Sequence, residues 1–145
     1  LDIEEVIKYK IQEAFKHCDG NVLVEDTSLS FDALNGLPGP LVKWFMTTIG
    51  VEGLYAIAEK FCNTKAVAKT ALGYATSCRD IHFFESEIHG TIVRPDGENG
   101  FGWDVIFRPD GHQQTFAKMS AEEKNSISMR ANVLSQLKLH LERGF

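Results

Sequence analysis

Cysteine is scarce in this chain: three among 145 residues, Cys18, Cys62 and Cys78, with no Cys-x-x-Cys pair. They read as reduced structural residues rather than a disulfide framework. The five histidines are scattered and none sits in an HExxH pattern, so no zinc-ligand grouping is present. No apolar run approaches the ~18 residues of a membrane span, and no charged-then-apolar leader pattern opens the chain. The expectation is a soluble cytoplasmic protein with no membrane partner. Basic residues are outnumbered, 15 Lys and Arg against 20 Asp and Glu, for a net charge of −5. That argues against a nucleic-acid-binding surface, and a nucleotide ligand would have to be held by local lysines. Repeats and low-complexity runs are also lacking, while 43% hydrophobic and 24% charged residues are ordinary globular values. Length and composition give a single domain over residues 1–145, able to bury roughly two thirds of its unfolded surface.

What is present centres on residues 22–45, VLVEDTSLSFDALNGLPGPLVKWF. The apolar Val22, Leu23 and Val24 read as a buried strand whose C-terminal end delivers two adjacent carboxylates, Glu25 and Asp26, to a cleft. Gly36, Pro38, Gly39 and Pro40 then stiffen a turn around Leu37, and a helix follows that carries Lys43 just before Trp44 and Phe45. An acid at a strand end, a preset turn and a lysine on the next element suit a metal-assisted site for a phosphorylated ligand. A solvated acidic turn after a strand is the plain alternative.

Upstream, Ile3, Val6, Ile7, Ile11, Ala14, Phe15 and Cys18 recur at helical spacing. Lys10 leaves from that apolar face, so its ammonium either snorkels to solvent or reaches a cleft at the rim of the core. Downstream, residues 54–61 read as a short amphipathic helix after Gly50 and Gly53, and residues 66–77 and 81–93 as strands. In the second strand, Phe84, Ser86 and Ile88 alternate with Phe83, Glu85 and Glu87, one face buried and one wet. Asn99-Gly100 turns into Phe101-Gly102-Trp103-Asp104. Phe101 and Trp103 can be core residues or a stacking platform for a base, with Asp104 able to read its edge. Ser120 and Glu123 form a capping box that opens a last helix with the stripe Ile127, Ala131, Leu134, Leu137 and Leu141. Lys124 and Arg130 fall on this stripe, where a cation needs a partner or a polar ligand edge.

VEDTSL, NGLPGP, KWF, FGWD and Glu123-Lys124-Asn125, in this order, resemble the inosine triphosphate pyrophosphatase family, also called the Ham1 family. The resemblance implies an α/β fold, an elongated, mixed, twisted sheet flanked by helices, in two lobes with the site in the central cleft, and a homodimer with strand surfaces at its interface. It implies hydrolysis of non-standard purine nucleoside triphosphates, such as those of inosine, deoxyinosine and xanthosine, to the monophosphate and pyrophosphate. Mg²⁺ is the implied cofactor. Asp26 is then the catalytic or metal-bound carboxylate at the attacking water, with Glu25 supporting it; Lys10 and Lys43 hold phosphates; and Phe101, Trp103, Asp104, Lys124 and Arg130 hold the base and its sugar side. Two positions depart from the family pattern: Val105 stands where relatives carry proline, and Met129 where they carry histidine beside Arg130. Relatives also carry, ahead of the first helix, a strand, a Ser/Thr-x-Asn-x-x-Lys phosphate loop and a metal-binding acid. The domain is therefore expected to be N-terminally incomplete, and the alternative function is a catalytically impaired nucleotide-binding or dimerising protein.

Overall fold

The computed structural model describes residues 2–144. The reading of the chain's start turns on Leu1, which lies outside them. Helix α1 spans Ile3–Ala14 and leads into strand β1, Val22–Phe31. A 3₁₀ turn and the two-residue strand β2, Pro38–Gly39, bring the chain to helix α2, Val42–Lys60. The long strands β3, Lys65–Ser77, and β4, Asp80–Ile92, form a hairpin, and strand β5, Phe107–Pro109, follows a second 3₁₀ turn at Gly102–Ile106. Helices α3, Ala121–Ile127, and α4, Met129–Arg143, complete the described chain. The strands form one sheet in the order β2-β1-β3-β4-β5.

The α/β class is as expected, but the four ladders described are all antiparallel rather than mixed. The sequence-adjacent β3 and β4 meet through a tight turn, which permits only antiparallel pairing.

Strand alternation gives each face of this sheet its own cover. On one face, Ile3, Ile7 and Ile11 of α1 pack on Val22, Ala71 and Ala75. Gly73 is what lets α1 come so close: a Cβ there would stand 2.4 Å from Ile7 Cγ2 and 2.7 Å from Ile11 Cδ1. On the other face, Leu29, Phe31, Ala66, Ala68 and Ile92 meet Leu54 of α2 and the aromatic group Trp103, Phe107 and Phe116. Val133 and Leu137 of α4 cover Leu72 on that same side. The two expected faces of β4 follow this division, with Phe84 against the α4 cluster and Glu85 and Glu87 exposed.

Three local expectations are corrected. β1 does not end after Val24; it runs through Glu25, Asp26, Thr27 and Ser28 to Phe31 and pairs with β3 along its whole length. Threonine, and the apolar residues at Leu29 and Phe31, suit a pleated strand and extend it past the acids. The first helix stops at Ala14, short of Cys18. The final helix is two helices, because Ser128 is extended (φ −67°, ψ 147°) and its side chain caps α4 by accepting from Ala131 N. That break resets the helical phase. The buried stripe becomes Met129, Val133 and Leu137, while Leu134 and Leu141 are exposed. The capping box at Ser120 is present as read, with Ser120 Oγ accepting from Glu123 N at 3.1 Å and Glu123 Oε2 from Ser120 N at 2.9 Å.

Candidate active site

The middle of β1 and β3, the 3₁₀ turn at Gly102–Ile106 and the junction of α3 with α4 enclose a cavity of about 340 Å³. Its floor is Thr27 and Thr70, neighbours across the ladder with hydroxyl oxygens 3.5 Å apart. Phe101 stands at the mouth, 66% exposed, an unusual position for a large ring with a packed core next to it. Its two neighbouring glycines hold it there. Gly100 (φ 79°) and Gly102 (φ 61°) both take left-handed backbone, and a Cβ on Gly100 would lie 2.2 Å from Asp104 Oδ2.

Asp104 organises this turn from beneath. It is only 4% exposed, and its Oδ2 accepts from Phe101 N at 2.9 Å and from Lys124 Nζ at 2.5 Å. A buried carboxylate survives when paired and hydrogen-bonded in this way. Lys124 in turn lies 5.4 Å from the Phe101 ring centroid and 5.3 Å from that of Phe116. Arg130, from the start of α4, places its guanidinium carbon 5.3 Å from the Phe101 centroid. The cavity thus pairs an aromatic face with two cations, a combination that suits a flat, electron-rich heterocycle carrying acceptor atoms.

Five of the sequence-singled residues therefore line one cavity: Phe101, Trp103, Asp104, Lys124 and Arg130. Trp103 is buried, edge-on to Phe107 at 5.6 Å, and forms wall rather than mouth. The remaining four are distributed differently. Asp26 lies on the α1 face of the sheet, where its Oδ1 accepts from Lys10 Nζ at 2.6 Å, and Lys10 also approaches the Glu25 carbonyl at 3.4 Å. Glu25 faces the opposite way and its carboxylate holds Arg130. Lys43 is exposed in the first turn of α2 and outside the cavity lining. Sequence reading passed over Thr27 as part of a motif beyond the expected strand end, Thr70 as a strand residue, and Asn99 and Asn125 as parts of a turn and a motif; all four line the cavity. For the asparagines the signal was their place beside Gly100 and Lys124, whereas nothing local marks Thr70.

Among the described residues no three His, Cys, Asp or Glu side chains gather into a metal cluster. Magnesium bound with a triphosphate needs no such cage, since one or two carboxylates plus phosphate oxygens and water complete its shell. Asp26, with 19% of its side chain exposed, fits that requirement, and Glu25 on the other face does not join it. No helix among the described residues is long and apolar enough to cross a membrane.

Known proteins similar to this chain share one family. The Ham1 family model matches residues 1–140. The inosine triphosphate pyrophosphatase of Schizosaccharomyces pombe is 44% identical over 141 residues, covering 97% of this chain and 75% of the relative. Inosine triphosphate pyrophosphatase 1 of Trypanosoma cruzi is 49% identical over 138 residues, covering 94% and 70%. The structure of the Staphylococcus aureus Ham1 protein aligns with a TM-score of 0.86 at 28% identity, over 98% of this chain and 77% of that one.

Proposed function

The chain belongs to the Ham1 family, and we propose on that premise how its residues divide the work of a nucleoside triphosphate pyrophosphatase. The reaction is hydrolysis of a non-standard purine nucleoside triphosphate to the monophosphate and pyrophosphate, as its inosine triphosphate pyrophosphatase relatives indicate. The observation that carries the base reading is the exposed Phe101 ring with Lys124 and Arg130 over it. A purine stacks on that ring, an interaction worth about 1–3 kcal/mol per base in nucleic-acid complexes. Hypoxanthine and xanthine carry a 6-keto oxygen, an acceptor, where adenine carries an amino donor. Donor-only cations therefore favour the keto bases.

With the base in the cavity, the sugar lies near Thr27 and the phosphates pass the outer edge of β1, which among the described residues has no strand partner over residues 22–28, to reach the Lys10 and Asp26 pair on the other face. Lys10 exchanges its carboxylate partner for phosphate oxygen, and Lys43 supplies a second cation from α2. Asp26 serves at the attacking water, taking its proton as general base, or as a carboxylate that would hold the metal. Water adds at phosphorus, the phosphoanhydride bond between the α and β groups breaks, and pyrophosphate leaves. Asp26, together with phosphate oxygens, would hold Mg²⁺, which would offset charge on the triphosphate. We further propose that residues 1–145 act as one domain, since its apolar clusters share one sheet. The family resemblance supports a homodimer working in the cytoplasm.

The test is pyrophosphate release from inosine, deoxyinosine, xanthosine and adenosine triphosphates with magnesium. Release from the first three with a much higher kcat/KM than from the last is expected. Equal values for all four would remove the base reading, and no release from any would remove the enzymatic one.

A further inference from the structure

We propose that Glu25 is a positioning residue for the base cavity: it holds the Arg130 guanidinium in place over Phe101 and so sets discrimination between purines. This rests on the base reading above.

Three observations carry it. Glu25 leaves β1 on the face of Thr27 and Leu29, because side chains two apart share a face, and Thr27 is cavity floor. Its Oε1 accepts from both Arg130 Nε, at 2.9 Å, and Arg130 Nη2. The same guanidinium lies 5.3 Å from the Phe101 centroid. Arg130 is 105 residues away in sequence, and its side chain is 45% exposed. Left alone, a long side chain so exposed would sample many rotamers, and ordering it on a ligand would cost binding free energy. Two donors fixed on one carboxylate oxygen determine the plane of the fork, leaving its other N–H groups to meet an acceptor on the base. The pair also ties the N-terminal turn of α4 to the middle of β1, so the ring, the guanidinium and the cavity floor keep one spacing.

This assignment separates Glu25 from the neighbouring Asp26. A second carboxylate at the phosphates would change the chemical step for every nucleotide. A residue acting through Arg130 changes the binding of the base.

The experiment compares Glu25→Gln and Glu25→Asp with the unaltered protein, using inosine and adenosine triphosphates as substrates, and repeats Glu25→Gln in an Arg130→Met background. The expected result is a KM for inosine triphosphate raised roughly 10-fold, the scale of one hydrogen bond to a charged group, with kcat within about 2-fold. The inosine-to-adenosine ratio of kcat/KM falls accordingly, and Glu25→Gln has no further effect once Arg130 is gone. Glu25→Asp, which keeps the charge but not the reach, gives the same pattern. Binding of inosine monophosphate by calorimetry provides a readout independent of turnover, so failure of the hydrolysis reading is distinguishable from failure of this one. Weaker binding of the monophosphate is expected in both variants. A fall in kcat shared by both nucleotides, equal in the two backgrounds, would overturn the proposal, as would unchanged monophosphate binding.

Discussion

Glu25 and Asp26, adjacent in β1, leave the sheet on opposite faces, the first engaging Arg130 of α4 and the second Lys10 of α1. One strand thus presents an acid to each face of the sheet, and the pleat alone keeps two like charges apart. Asp26→Asn keeps the shape of the side chain and an acceptor for Lys10 but removes the carboxylate. Turnover is expected to fall about 10²–10⁴-fold, the usual worth of a general base, while nucleotide binding measured by calorimetry largely survives. Unchanged turnover would take Asp26 out of the mechanism.

Asp104 is expected to matter for stability before it matters for binding. Its buried Oδ2 serves both Phe101 N and Lys124 Nζ. In Asp104→Asn the amide lacks the charge that compensates Lys124, whose side chain is itself 23% exposed and able to recover some hydration. The expected cost is about 1–3 kcal/mol in chemical denaturation, accompanied by weaker inosine monophosphate binding as the Phe101 turn loosens. An unchanged denaturation midpoint would show that the turn stands without this carboxylate.

Much of the fold was legible because local rules and tertiary structure agree. The capping box at Ser120 and the apolar stripe through Ile3, Ile7 and Ile11 state their elements in short windows. The cavity was legible in part: Phe101, Asp104, Lys124 and Arg130 were marked by a turn and by cations on apolar spacing. The rest depended on contacts made at long range. The acids after Val24 look like a strand end, yet pairing with β3 carries β1 six residues past Glu25, to Phe31. Ser128 was one of several serines near Asn125, and only its extended backbone reveals which of them restarts the helix. The partners of Lys10 and Arg130 could not be read from helical spacing, since each is an acid on β1.

Gly73→Ala probes how α1 is seated. The added methyl would meet Ile7 and Ile11 well inside contact distance, and both are fully buried. Overpacking of this kind costs about 1–3 kcal/mol. Displacement of α1 would also draw Lys10 away from Asp26, so a raised KM for the triphosphate is expected alongside the lower stability. A variant of undiminished stability would mean that α1 can shift over the sheet without penalty.

Met129 stands where the family resemblance places a histidine next to Arg130, and two roles for that position give opposite outcomes. A histidine reading the base directly would donate to a 6-keto oxygen, which methionine cannot do. A site built on such a bond can reject the wrong edge by as much as ~10⁴–10⁵, against about 10–200-fold from apolar contacts. Met129 is only 5% exposed, however, and joins Phe31, Trp103 and Phe116 in the main core while lining the cavity. A flexible thioether fills such a gap well. On the base reading proposed above, Lys124 and Arg130, which lie over the Phe101 ring, supply the donors. Met129→Leu is therefore expected to leave the inosine-to-adenosine ratio of kcat/KM unchanged and to cost less than about 1.5 kcal/mol of stability. Met129→His is expected to shift that ratio by less than about 3-fold and to destabilise the fold by roughly 1–3 kcal/mol, because an imidazole enters an apolar wall. A rise of about 10-fold or more in the ratio on introducing histidine would make position 129 a reader of the base, and would place part of the discrimination in the helix start rather than in the cations alone.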